Sequence, residues 1–379
     1  MPTYNGSGMV GTGTEVISTK RIRDEYLDYK YWSENIALGE WDVKRTQLEE
    51  LERLFNEPSQ TGSGFNKVMS DFYDAISDLS KSPGDLSARK VLINRGISLA
   101  NYFNNMANHL EKMQSDLNDA VKLKVDEVNA LAKQIRELNQ QIYTMEVGGD
   151  MANDLRDQRN LLIDQLSQLV DIEVQEIPII GSKDGATTLR ISINGDPLVD
   201  HLDYNQLMVV PRDHRKNYLD AINLVDVHWV NPKTGEAGAK LRCQSGQLKA
   251  LLDMRDNIDG TEKGIPYYMD QLNRFTTVFA ARFNIQHGQG YGLSGAGNHI
   301  PFFNLPPMDY ASYPDMGYEK VDPASLTGAS DSEIIANYEK ANPGKMIFRV
   351  GDDWYAASIV KGNEIDISDG IKNSLNNIA

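Results

Sequence analysis

From Asp85 to Val147 the chain runs without a proline, and its apolar side chains recur at helical spacing until Gly148 and Gly149 interrupt them. Asp85 is placed to cap such a helix and the two glycines to end it. Val128, Leu131, Ile135, Leu138, Ile142 and Met145 alternate steps of three and four residues, the a/d rhythm of a coiled-coil seam. Leu117, Val121, Val125 and Val128 step by four, four and three. The extra four-residue step is a stutter that locally unwinds a supercoil. At helical rise, Ile97 to Val147 alone would span about 75 Å. A long rod is therefore the expectation around which the rest of the chain is arranged.

A further helix over Met151–Val170, with Leu155, Leu162, Leu166 and Leu169 on one face, is the natural antiparallel partner across the glycine break. Upstream, Leu27, Tyr31, Leu38, Trp41, Leu48, Leu51 and Phe55 predict one long amphipathic helix over 22–55, with Gly39 as a candidate bend. Phe65 to Leu79 predicts a shorter helix, stopped by Ser82-Pro83-Gly84. At Asp171 the period changes to two. Ile172 and Val174, then Thr187 to Ile193 before the Asn194-Gly195 turn signal, then Leu207–Val210 and Leu224–Trp229, read as strands of an inserted antiparallel β domain. Helical signals return at Gln247–Leu252 and Pro266–Phe283, and Met346–Val350 and Trp354–Val360 read as two short strands.

The resulting division is a flexible N-terminal segment, 1–13; the first part of a helical rod domain, 14–170; the β domain, 171–243; the return of the rod, 244–287; an irregular loop-rich region, 288–345, with one helical candidate near Glu333–Tyr338; and strands with a polar tail rejoining the rod, 346–379. The fold class is mainly α with an inserted antiparallel β domain, an α+β multidomain chain built on a helical-bundle rod.

Chemistry is sparse by comparison. The net charge of −16, without a cluster of Lys and Arg, argues against binding the phosphates of nucleic acid. No apolar run approaches the roughly 20 residues that cross a bilayer. The single cysteine, Cys243, forbids an internal disulfide and is read as the inner-face residue of a strand. The six histidines are dispersed, with no zinc helix, phosphate loop or nucleophile elbow, so no catalytic, cofactor or metal residue is assigned. His287 and His299 read as solvated loop histidines. Gly288 to Gly292 lacks the strand and helix that a dinucleotide fingerprint requires. Asp154 and Asp157 sit at the positive end of a helix dipole and read as a solvated or salt-bridged turn, with Arg156 and Arg159 bracing the helical hairpin. Trp32 and Trp41 read as packing in the core or between subunits, and Tyr29 and Trp32 as candidate subunit-interface residues on an outward face.

Asn153-Asp154-Leu155-Arg156-Asp157-Gln158-Arg159, continuing to Val170, resembles the signature segment of the flagellar hook-associated protein 1 family, FlgK. Arg21–Asp28, Ser33–Trp41, Leu54–Ser59 and Ser245-Gly246 through Arg255-Asp256 are similar to further family segments, in the family's order. The resemblance covers about residues 13–287 and implies a structural, non-enzymatic subunit. It implies export through the flagellar type III pathway and self-assembly into an axial ring in the extracellular flagellum, joining hook to filament. The implied partners are further copies of the chain, the hook protein, the next hook-associated protein, and an export chaperone acting through a C-terminal region that this chain lacks. It also implies a core fragment without the family's terminal helices. The alternative from another class is an adhesin or adaptor whose helical stalk displays the β domain to a surface ligand. A third reading makes the carboxylates of Asp154 and Asp157 an enzyme's acidic cluster.

Overall fold

The computed structural model describes residues 3–4, 9–10, 24–55, 64–148, 151–178, 187–217, 219–295, 299–307 and 317–379. Its helices are α1 (Glu25–Phe55), α2 (Phe65–Lys81), α3 (Leu86–Val147), α4 (Asn153–Leu169), α5 (Gln247–Asp256), α6 (Ile265–Gly288), α7 (Asp331–Ala341) and α8 (Asp369–Asn373). The strands are β1 (Thr3–Tyr4), β2 (Met9–Val10), β3 (Ile172–Pro178), β4 (Thr187–Ile193), β5 (Asp196–Asp200), β6 (Asp203–Tyr204), β7 (Leu207–Pro211), β8 (Val225–Val230), β9 (Ala237–Lys240), β10 (Glu319–Val321), β11 (Lys345–Val350) and β12 (Asp353–Ser358). The architecture is helical with small antiparallel sheets. Within 1–13, β1 pairs with β2, and the rest of that expected flexible segment lies outside the described residues.

Two compact units share the chain. One holds Met1–Val43, Ala120–Pro211 and Val225–Ala250; the other holds Lys44–Asp119, Arg212–Leu224 and Leu251–Ala379. This division runs across the sequence-based boundaries, because strands 172–211 group with the second half of α3 rather than apart from it.

In the first unit, Val121, Val125, Val128, Leu131, Ile135 and Ile142 of α3 are buried, together with Ile163, Leu166 and Leu169 of α4. The α4 helix has 17 residues against 62 in α3, so the doubled-back spine is short. Strands complete the packing that a second long helix would have supplied. Asn129 on α3 donates to Leu207 O at 2.8 Å and accepts from Leu207 N at 2.8 Å, fixing β7 to the helix. Sheets β3-β4-β5-β6 and β7-β8-β9 are both antiparallel. Asn194 and Gly195, with φ of 47° and 86°, make the two-residue hairpin turn between β4 and β5 that their sequence predicts.

The seven apolar residues that define α1 in the sequence do not mark its core face. Only Leu51 of that stripe is buried; Leu27, Tyr31, Leu38, Trp41, Leu48 and Phe55 are 43–64% exposed. Trp32, Asn35 and Gly39 are the buried positions of the helix's first half. A Cβ on Gly39 would stand 2.3 Å from Gln168 O, so this glycine admits a backbone approach.

The second unit is organised around aromatic rings. Phe72, Phe103, Phe279, Phe283, Phe302 and Phe303 form a connected cluster, with the Phe283–Phe302 centroids 4.8 Å apart. Gly96, near the start of α3, leaves room for Phe302 and Ile367. The 288–345 region is more ordered than its composition suggests. β10 pairs with β12, and Ile334, Ile335 and Tyr338 of α7 pack on Val321, Ile347, Trp354 and Ala356. The polar tail is likewise packed, with Ile371 and Ile378 buried. Cys243 lies beyond β9 and is half-buried, because the strand ends at Lys240.

Candidate functional site

The signature residues are spent on holding elements together. Arg156 forks onto Glu146 in the last turn of α3, with Nε to Oε1 at 2.6 Å and Nη2 to Oε2 at 2.8 Å. The hydrogen bonds that Arg156 donates to Glu146 raise the Arg156 pKa against the opposing effect of burial. Arg159, one turn on and fully buried, donates to Asn139 Oδ1 at 3.1 Å and to Glu176 of β3. Asn139 in turn donates to His201 O at 2.9 Å. Two arginines on one helix thus tie α3, α4 and the sheet, as the bracing expectation requires. A planar guanidinium is suited to this because its donors reach two acceptors in fixed directions.

Along the same helix, Asp164 Oδ1 accepts from Trp32 Nε1 at 2.6 Å, and Asn35 donates to Asp164 O and Ser167 Oγ, each at 2.8 Å. Trp32 is therefore turned onto α4 and buried, which corrects its assignment to an outward face: an indole N–H in the core needs an acceptor, and Asp164 provides one. Tyr29 remains half-exposed, edge-on to the Trp32 ring. Asp154 and Asp157 are exposed on the first turns of α4, as are the side chain of Gln158 and part of Asn153 and Leu155.

Ser245 and Gly246 close the far end of α4. Ser245 Oγ donates to Glu40, and Gly246, at φ +90°, would place a Cβ 2.9 Å from Leu169 O. Gln244 N donates to Asp171 Oδ2 at 2.9 Å, while burial raises the pKa of that carboxyl.

In the second unit Arg255 and Asp256 anchor a polar centre that the sequence did not foretell. Arg255 is fully buried and donates to both oxygens of Asp256, at 2.8 and 3.1 Å, and to Asn118 Oδ1 at 2.9 Å. Arg212 and Lys216 also donate to Asp256 Oδ2. Burial alone would raise the Asp256 pKa; the hydrogen bonds from Arg255 and Arg212 outweigh it and hold the carboxyl far below the usual range. Gln114 donates to Asp220 Oδ1 at 3.0 Å and Arg255 O at 2.9 Å, and accepts from Ala221 N at 2.8 Å. Gln114 and Asn118 follow Met113 and Leu117 directly in the heptad run. Polar residues flanking a seam were the only available signal for this centre.

His287 is the other departure. It lies in α6, buried, with Nδ1 3.1 Å from Ile300 O and Nε2 accepting from Ala379 N at 3.0 Å. Burial pushes its pKa down to about 4, so it is a neutral core residue. His299 remains exposed. Gly290 and Gly292 allow the close approach of 376–379. Among the described residues no group of three His, Cys, Asp or Glu is placed to hold a metal ion, and no helix is long and apolar enough to cross a membrane. A groove of about 450 Å³ is lined by Phe55, Phe65, Tyr102, Phe103, Met106, Tyr268, Gln271, Leu272 and Phe275, a mostly apolar and aromatic surface.

Residues 48–303 match the family described as the flagellar hook-associated protein FlgK helical domain. The chain is 33% identical over 301 residues to flagellar hook-associated protein 1 of Bacillus subtilis, covering 76% of this chain and 57% of that protein. It is 28% identical over 298 residues to the protein of that name from Escherichia coli, covering 77% and 50%. The chain thus spans about half the length of the curated relatives it matches. The flagellar hook junction protein FlgK from Burkholderia pseudomallei shares its fold, with a TM-score of 0.60 at 16% identity over 94% of this chain and 65% of that one.

Proposed function

This chain belongs to the flagellar hook-associated protein FlgK family, and on that premise we propose that it is a structural subunit of the bacterial flagellum joining hook to filament. In this reading copies of the full-length protein assemble into an axial ring, with the hook protein on one side and the next hook-associated protein on the other. The subunit is exported to the extracellular flagellum with help from a chaperone, and its role is mechanical rather than enzymatic. The observation that carries the reading is the use of the signature residues: Arg156, Arg159, Ser245, Gly246, Arg255 and Asp256 all lock one element to another, and none opens onto a catalytic cleft. Such a core transmits load without consuming a ligand.

Deleting the full-length gene should leave cells that build hooks but release filament subunits into the medium. Normal filaments and normal swimming in the deletion strain would overturn the reading.

A further inference from the structure

Beside the Arg255 centre, the second unit holds a cavity of about 90 Å³, lined by Glu111 of α3, Arg215 and Asp220 of the 212–224 loop, Asn273 of α6, and Lys361 and Asn363 of the segment after β12. By liquid volume that is room for about three waters, the size of the smallest α-amino acids. One wall is held in shape by side chains of two helices. Val360 N donates to Thr277 Oγ1 at 3.0 Å, Gly362 N to Asn273 Oδ1 at 2.7 Å, and Asn363 Nδ2 to Asn108 Oδ1 at 3.3 Å. A Cβ on Gly362 would stand 3.1 Å from the Ala107 Cβ, so the glycine lets this segment lie against α3. A wall fixed in advance loses little further freedom when a ligand arrives.

The charges say which ligand fits. Glu111 and Arg215 have opposite signs and line the same small space, yet among the described residues neither has an ion-pair or hydrogen-bond partner. Asn363 Oδ1 is buried and accepts no hydrogen bond, although buried acceptors are nearly always satisfied. A lone anion in the cavity would meet Glu111 and Asp220, and a lone cation would meet Arg215 and Lys361. A molecule that carries both charges on neighbouring atoms answers each of them. We propose that the cavity binds a small zwitterionic α-amino acid, with its ammonium on Glu111 and Asn363 Oδ1 and its carboxylate on Arg215 and Lys361. An ammonium offers three donors, enough for those acceptors, and a guanidinium meets a carboxylate with two parallel ones. Lys361 is held only by a contact of 3.9 Å with Glu364, an exposed pair that is readily exchanged. Partial enclosure strengthens each charge contact over its value in open water. The inference goes beyond the junction reading and does not rest on it.

Calorimetric titration of the 379-residue chain with L-alanine should give a saturable one-site isotherm with a dissociation constant of about 1 mM or below. Glu111→Gln and Arg215→Gln, at a half-buried and an exposed position, should each weaken binding about tenfold or more with an unchanged helical spectrum. Acetate and methylammonium, each carrying one of the two charges, should bind at least about tenfold more weakly than alanine. No saturation by about 20 mM alanine overturns the proposal. So does an affinity that either substitution leaves unchanged, which would put the ligand elsewhere, or acetate or methylammonium binding as tightly as alanine, which would mark a site for a single charge.

Discussion

Polar side chains do unequal work in this molecule, and Arg255 and Arg190 mark the extremes. Arg255 is sealed from water with Asp256 and Asn118, whereas the Arg190–Asp200 pair is about half-exposed on both sides. Replacing Arg255 with Met should cost about 3 kcal/mol by stranding Asn118 and weakening the support of Asp256. Arg190→Ala should leave the unfolding midpoint almost unchanged, because water and salt screen an exposed pair. Urea midpoints for the two variants, at equal slope, check the contrast. His287 sets an acid limit. Its pKa in the fold is about 4, below the ordinary value near 6.5, so the unfolded chain takes up the proton first. Its contribution is therefore fully present above pH 6.5, declines as pH falls toward 4, and reaches a loss of about 3 kcal/mol below that. His201, lowered chiefly by burial, adds to the decline with the same sign. A His287→Gln variant should show a visibly shallower fall in stability between pH 6.5 and 4; an unchanged slope would contradict this account.

Helices and strands show what sequence patterning can and cannot convey. The existence and bounds of α1 to α4 follow from apolar spacing, proline and glycine, and Asp85 caps α3 as expected, accepting from Ser87 N at 2.7 Å. The facing of α1 does not follow, because its exposed stripe is as apolar as a core stripe and its real contacts use an indole, an amide and a glycine. Within the signature, Arg156 and Arg159 were legible as braces, since arginines near a helical turn seek carboxylates; Gln114 and Asn118 were not, since their partners, Asp220 and Ala221 in a loop and Arg255 in α5, are far away in the sequence. The order of 317–379 was underestimated because its core comes from pairing β10 with β12 across a long separation in sequence. Gly39 offers a test at this scale. In an exposed helix Gly→Ala stabilises by about 1 kcal/mol. Here Gly39→Ala should destabilise, and hydrogen exchange should accelerate in Asp164–Leu169, because the new methyl meets Gln168 O.

Charge is the property the whole molecule presents first. With 38 basic and 54 acidic residues the chain repels both itself and its copies. Raising the salt concentration from about 10 mM to 300 mM shrinks the Debye length from roughly 30 Å to 6 Å. The melting temperature should rise over that range, read by differential scanning fluorimetry; a fall would mean that attractive surface pairs outweigh the net repulsion.

The Asn129 carboxamide, bound through both its donor and its acceptor to Leu207, has an effect beyond holding β7 in place. A primary amide carries the same complementary pair as a peptide unit, so α3 presents β7 with one rung of a neighbouring strand that does not exist. A foreign strand arriving there finds that rung already taken. At Leu207, that margin is thus denied to templated, amyloid-like pairing by a single side chain, with no added polypeptide.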